Sequence, residues 1–124
     1  MNTVGWVAAH LADTVSWADV IVKEDSFDVA PPDGPPHANP EFDTSAEIVQ
    51  AFEANLQSAI GAIRGADDST MGDPWTLKQG GNDLFTLPRA AVIKTFLLNH
   101  VIHHRAFLIA YLRMNGIKCP GMYD

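Results

Sequence analysis

The stretch from Pro88 to Asn115 constrains the fold most, because it is apolar on nearly every side and carries a histidine cluster in its middle. Val92, Ile93, Phe96, Leu97, Val101, Ile102, Phe107, Leu108, Tyr111 and Leu112 leave no clear polar face, which predicts a central helix rather than a peripheral one. Pro88 suits a first-turn position and Gly116 a stop signal. Within Asn99-His100-Val101-Ile102-His103-His104-Arg105, His100 and His104 stand four apart and share one face of the helix. The face through Ile93, Phe96, Leu97, His100, His104, Phe107 and Tyr111 is expected to point at the core. Two neutral imidazoles on such a face need partners. Hydrogen bonds to polar neighbours would serve, and so would one transition metal, for which imidazole is a good ligand. The spacing leaves both readings open. It does exclude a zinc-protease helix, where Glu follows the first His; here that residue is Val101. His103, one residue off the pair, reads as a supporting or packing residue, so a third ligand has to come from another helix.

Ahead of this helix the chain has two others. Thr3 is a good N-cap, and Val4, Val7, Ala8, Leu11, Val15, Ala18 and Val22 recur at helical spacing, which predicts a helix to about Glu24. His10 lies beside that stripe, near Trp6, Asp13 and Trp17 in angle; a histidine there is ordinarily a boundary residue. Asp25 to Asp43 holds Pro31-Pro32, Asp33-Gly34, Pro35-Pro36 and Pro40, and reads as one long loop without regular structure, a possible rim over a site. Its His37 reads as a solvated loop residue. Thr44 and Glu47 form a capping box opening a scaffold helix with a stripe of Val49, Phe52, Leu56, Ala59, Ile60 and Ile63, ending at Gly65. From Gly65 to Leu87 the chain is irregular; Gly80-Gly81-Asn82 marks either a short hairpin or an extended loop pinned by Trp75 and Phe85. After Gly116 the tail through Tyr123 is expected to be extended and turn-rich.

The 124 residues make one domain, 1–124, with one core. No apolar run is long enough to cross a bilayer, and no secretory signal is visible. The lone Cys119 fits a reducing cytoplasm. A net charge of −7 argues against a nucleic-acid partner. Arg89, Lys94, Arg105, Arg113 and Lys118 nevertheless gather at the C-terminal end, expected to pair with acidic neighbours in the fold or, for one or two of them, to meet an anionic substrate.

The run Pro88-Arg89-Ala90, Leu98 to Arg105, Tyr111-Leu112-Arg113, Gly116 and Pro120-Gly121-Met122-Tyr123, together with Val7-Ala8-Ala9-His10-Leu11 and Trp17, resembles the DinB/YfiT-like family of four-helix bundles. The resemblance implies an all-α bundle, three of whose main helices are visible in this chain. It implies one divalent metal, zinc or nickel, held by His10, His100 and His104 with positions open for water or substrate. It implies a homodimer. Against the family pattern the chain starts at the helix that bears the first histidine, lacks the usual terminal segment, and has Ala106-Phe107 where many members have Gly-Gln. The expectation is a fragment of a longer chain, or an apolar groove covered by a partner chain.

The function this implies is a metal-dependent enzyme: a thiol-dependent S-transferase or isomerase using a low-molecular-weight thiol such as mycothiol or bacillithiol, or a hydrolase. The alternative is a non-catalytic, stress-related binding module with a structural or vestigial metal. Arg105, Arg113 and the Asp25–Asp43 loop are the candidates for holding substrate, and Asp13 for orienting a ligand imidazole. Nothing in the sequence marks a general base.

Overall fold

The computed structural model describes residues 2–121, which form α1 (Val4–Lys23), β1 (Ser26–Asp28), α2 (Ser45–Gly65), α3 (Asp68–Gly72), β2 (Pro74–Gln79) and β3 (Asn82–Pro88), then a last helix in three parts. Those parts are α4 (Arg89–Val92), a π-helical segment (Ile93–Leu98) and α5 (Asn99–Met114). Three main helices carry the fold, as the sequence implies, with a small three-stranded sheet added to them.

The helix ends follow local chemistry. The Trp6 N–H donates to Thr3 Oγ1 at 3.1 Å, and Thr44 and Glu47 complete the capping box ahead of α2. Gly116, at φ 76°, ends α5: its N–H donates to the Arg113 carbonyl and that of Ile117 to the Leu112 carbonyl. This paired closure needs the left-handed conformation that glycine adopts freely. Gly65 is only the last residue of α2, without a positive φ. Of the tail, residues 117–121 have no regular structure, while Met122 and Tyr123 lie outside the described residues.

The long loop is not wholly irregular. Ser26-Phe27-Asp28 precede its prolines and pair in parallel with Thr76-Leu77-Lys78. Between β2 and β3 the chain makes a true hairpin, with Gly80 and Gly81 at φ 61° and 80° as its two-residue turn. The Asp28 carboxylate accepts from both glycine N–H groups, at 3.1 and 2.7 Å, and so locks the hairpin to β1.

The core joins Val15, Ala18 and Ile21 of α1 to Ala59 of α2, Trp75 and Leu77 of β2, and Val92 and Leu97 of the last helix. α1, rather than the last helix, is therefore the central element. α5 has no buried residue, and Leu98, Ile102 and Phe107 are exposed. Exposure at Val49 and Ile63 likewise corrects the expected stripe of α2. The apolar composition that predicted a central helix thus marks a half-covered one. Val4, Ala8 and Leu11 form the floor of an open trough of about 670 Å³ between α2 and α5, with Ile48, Val49, Val101 and Leu108 along its walls.

Val92 and Leu97 are five residues apart, yet both face the core, because the helix is wider between them. The Asn99 N–H reaches the Lys94 carbonyl, five residues back. Thr95 Oγ1 donates to the Ala91 carbonyl at 2.7 Å and competes there with the regular ladder.

The Arg89 side chain fixes how α1 and the last helix meet. Only 4% exposed, it donates from Nε to the Ile21 carbonyl at 2.9 Å, from Nη2 to the Glu24 carbonyl at 2.8 Å, and from Nη1 to the Pro74 carbonyl at 3.4 Å. Nη2 also meets Asp25 Oδ1 at 2.8 Å, but the Asp25 side chain is 97% exposed and screened by water. Among the described residues Arg89 is the one cation of the C-terminal set with an ion pair, so the expected pairing of the whole set with acidic neighbours does not hold. Lysine has one ammonium and cannot span three carbonyls. Arg89→Lys is expected to lower urea stability by about 2–4 kcal/mol, and Asp25→Asn by less than about 1 kcal/mol. Equal losses in the two variants would show that the ion pair, not the carbonyl cradle, holds the junction.

Candidate metal centre

α1 presents His10, and α5 presents His100 and His104 one turn apart, across the same interhelical seam. One nitrogen from each of the three rings falls within 4.8 Å of the other two. His10 Nε2 and His100 Nε2 are 3.1 Å apart. Two nitrogens bound to one zinc at about 2.0–2.1 Å with tetrahedral angles lie ~3.3 Å apart, so this separation suits a shared ion.

The outer face of each ring decides what that short approach means. Asn39 Nδ2 donates to the Trp6 carbonyl at 3.2 Å; a carbonyl can only accept, so the amide is oriented with Oδ1 toward His10 Nδ1, at 3.2 Å. His10 Nδ1 therefore carries the hydrogen. The Phe96 carbonyl, one turn back on the helix, supports the basicity of His100 against the effect of burial. With its hydrogen on Nδ1, His10 presents its Nε2 lone pair toward His100 Nε2. His104 adds a buried Nδ1 with no hydrogen-bond partner. An orphaned buried nitrogen costs free energy of about 1–3 kcal/mol. The donor set fits a divalent transition metal.

Aromatic rings enclose the cluster. Trp6 stacks on His10 with centroids 4.8 Å apart, Trp17 meets His10 and His100 edge-on at 5.9 and 5.2 Å, and Phe96 stands 6.0 Å from His100. Burial is the main reason all three histidines lose basicity relative to the ordinary value of 6.5. For His10 the bond to Asn39 and the charge of Asp13 oppose it. For His104 the neighbouring His10, His100 and His103 add to it, and its pKa falls to about 4. All three rings are neutral at neutral pH, the state in which imidazole binds a metal.

The remaining candidates are placed otherwise. His103 is exposed and touches His104 and Phe107 edge-on at 5.0 and 4.8 Å, a packing position. Asp13 orients no ligand imidazole: its Oδ2 accepts from Trp17 Nε1 at 3.1 Å and pairs with His37 Nε2 at 2.8 Å. His37 is accordingly anchored rather than freely solvated. Arg105 lines the open trough and Arg113 donates to the Pro120 carbonyl, so neither is brought to the histidines as a substrate clamp. The loop does reach the site, through Asn39. Its only advance sign was the length of the loop itself, because Asn39 and His10 are 29 residues apart.

A helical fold brings together three histidines, with no carboxylate among them, in a group that could hold a metal ion. The chain belongs to the DinB superfamily, whose family model matches residues 1–108. No curated protein and no solved structure gives a significant match.

The pH dependence follows from the histidine shifts. Between 6.5 and about 4 the unfolded chain binds a proton at His104 that the folded chain refuses. Stability of the metal-free protein is thus fully present above about 6.5 and is lost as pH falls toward about 4. Urea unfolding across that window is expected to show the decline, and to show less of it in His104→Ala; a flat profile would contradict the shifts.

Proposed function

We propose that this protein binds one divalent transition metal, zinc or nickel, through His10, His100 and His104, and acts as a metal-dependent enzyme on a low-molecular-weight thiol. The observation that carries the reading is the convergence of three neutral imidazoles with an orphaned Nδ1 on His104. A metal held there supplies Lewis acidity that lowers the pKa of a bound thiol or water. The chain's own part is to present the three nitrogens, to keep them unprotonated by burial, and to line the site with Trp6, Trp17 and Phe96. S-transfer or isomerisation is the favoured reaction class, with hydrolysis by an activated water as the nearest relative chemistry.

Elemental analysis tests the metal. Roughly one ion per chain is expected in the purified protein, lost in both His10→Ala and His104→Ala and kept in His103→Ala. Cobalt-substituted protein is expected to gain a sulfur-to-metal charge-transfer band when a small thiol is added. Full occupancy in His10→Ala would exclude the ligand set, and a spectrum blind to thiol would exclude the thiol reading while leaving the metal.

The reading includes a homodimer, supported by the apolar side chains that the last helix leaves exposed, Leu98, Ile102 and Phe107. Light scattering is expected to give a dimer for the natural protein and a monomer for Ile102→Glu. A monomeric natural protein would sink that part.

A further inference from the structure

Asn39 reaches the histidine cluster on a strap that is held at several points. The His37 N–H donates to the Val29 carbonyl at 2.8 Å, and His37 Nε2 meets Asp13 Oδ2 at 2.8 Å. Two residues on, Asn39 spans from the Trp6 carbonyl to His10 Nδ1, both at 3.2 Å. Both bonds depend on the amide having one donor end and one acceptor end. The group that bonds the outer side of the His10 ring, Asn39 Oδ1, is uncharged. The Asp13 carboxylate, one turn along α1, is engaged by Trp17 and His37 instead.

We propose that Asn39 is a positioning residue of this centre: its amide oxygen holds His10 in the tautomer whose Nε2 lone pair faces the site, without adding negative charge there. The proposal rests on the metal reading of the three histidines and goes further by assigning the class of exchangeable ligand. Partners on the outer nitrogen of a metal-bound histidine fix its tautomer and tune its basicity. A carboxylate in this position would bond more strongly but would offset part of the cation's charge. The amide leaves that charge in place, so the open position selects a small anion or a nucleophile that becomes one on binding: a thiolate, a hydroxide or a carboxylate.

Two variants separate the functions of the side chain. Asn39→Leu removes the acceptor and the donor, whereas Asn39→Asp keeps an acceptor for His10 and loses the donor to Trp6. Nitrogen NMR of the metal-free protein near neutral pH is expected to show His10 as the Nδ1–H tautomer in the natural chain and in Asn39→Asp, but not in Asn39→Leu. Zinc affinity measured by chelator competition is expected to fall about 10–100-fold in Asn39→Leu and not to fall in Asn39→Asp. Azide affinity of the cobalt-substituted protein is expected to drop about tenfold in Asn39→Asp, because the added charge opposes an anion at the metal. Thermal unfolding of each variant confirms that it is folded.

An Nε2–H tautomer for His10 in the natural chain would overturn the proposal, whether or not the protein binds zinc. So would an Asn39→Leu variant with unchanged tautomer and zinc affinity. Equal zinc losses in both variants would overturn it by placing the effect on the Trp6 bond. Unchanged azide affinity in Asn39→Asp would overturn the ligand class. A natural chain that takes up no zinc fails the metal reading itself, and the tautomer measurement still decides the role of Asn39.

Discussion

The buried guanidinium of Arg89 is the contact on which the rest of the structure depends. The C-terminus of α1 ends in carbonyls that no later turn of the helix can satisfy, and Arg89 takes up those of Ile21 and Glu24. The same side chain reaches the Pro74 carbonyl at the start of β2, while the Arg89 N–H donates to the Asp73 carbonyl. Three chain segments far apart in sequence are thus tied at the first residue of the last helix. From that knot the last helix runs back along α1, which sets where His100 and His104 arrive opposite His10.

The histidine cluster is built from one physical decision, the half-burial of three bases among aromatic rings. Removing the rings from water makes protonation unfavourable, and crowding them together makes it more so. What remains on each neutral ring is one lone pair beside one N–H. Such an arrangement is poor as a core and good as a chelate. Among the described residues two buried nitrogens lack a partner, His104 Nδ1 in this cluster and Trp75 Nε1 in the core.

Much of this was legible from local chemistry. Thr3, the Thr44–Glu47 box and Gly116 announce helix ends because capping involves neighbours only a few residues apart. His100 and His104 announce each other for the same reason. The convergence of His10 with them needed a resemblance to bridge 90 residues of sequence. What stayed hidden was long-range or phase-dependent. Asn39 and His37 lie in a proline-rich loop with no periodicity to read. β1 is three residues long and exists only because β2 is beside it. Arg89 looked like one more surface cation among five. The uniform apolarity of the last helix concealed which side was covered, since a helix with no polar face gives no phase.

That missing phase information is supplied by the π-helical segment from Ile93 to Leu98. It places Val92 and Leu97 on the core and then hands a shifted register to His100 and His104. Each residue of an ordinary α-helix turns the chain by about 100°. If the same residues wound as an ordinary α-helix, the ladder would be regular, but His100 and His104 would turn by about that angle relative to Val92, away from His10. The wider turn, more than any single side chain within it, sets the direction in which the two histidines leave the helix.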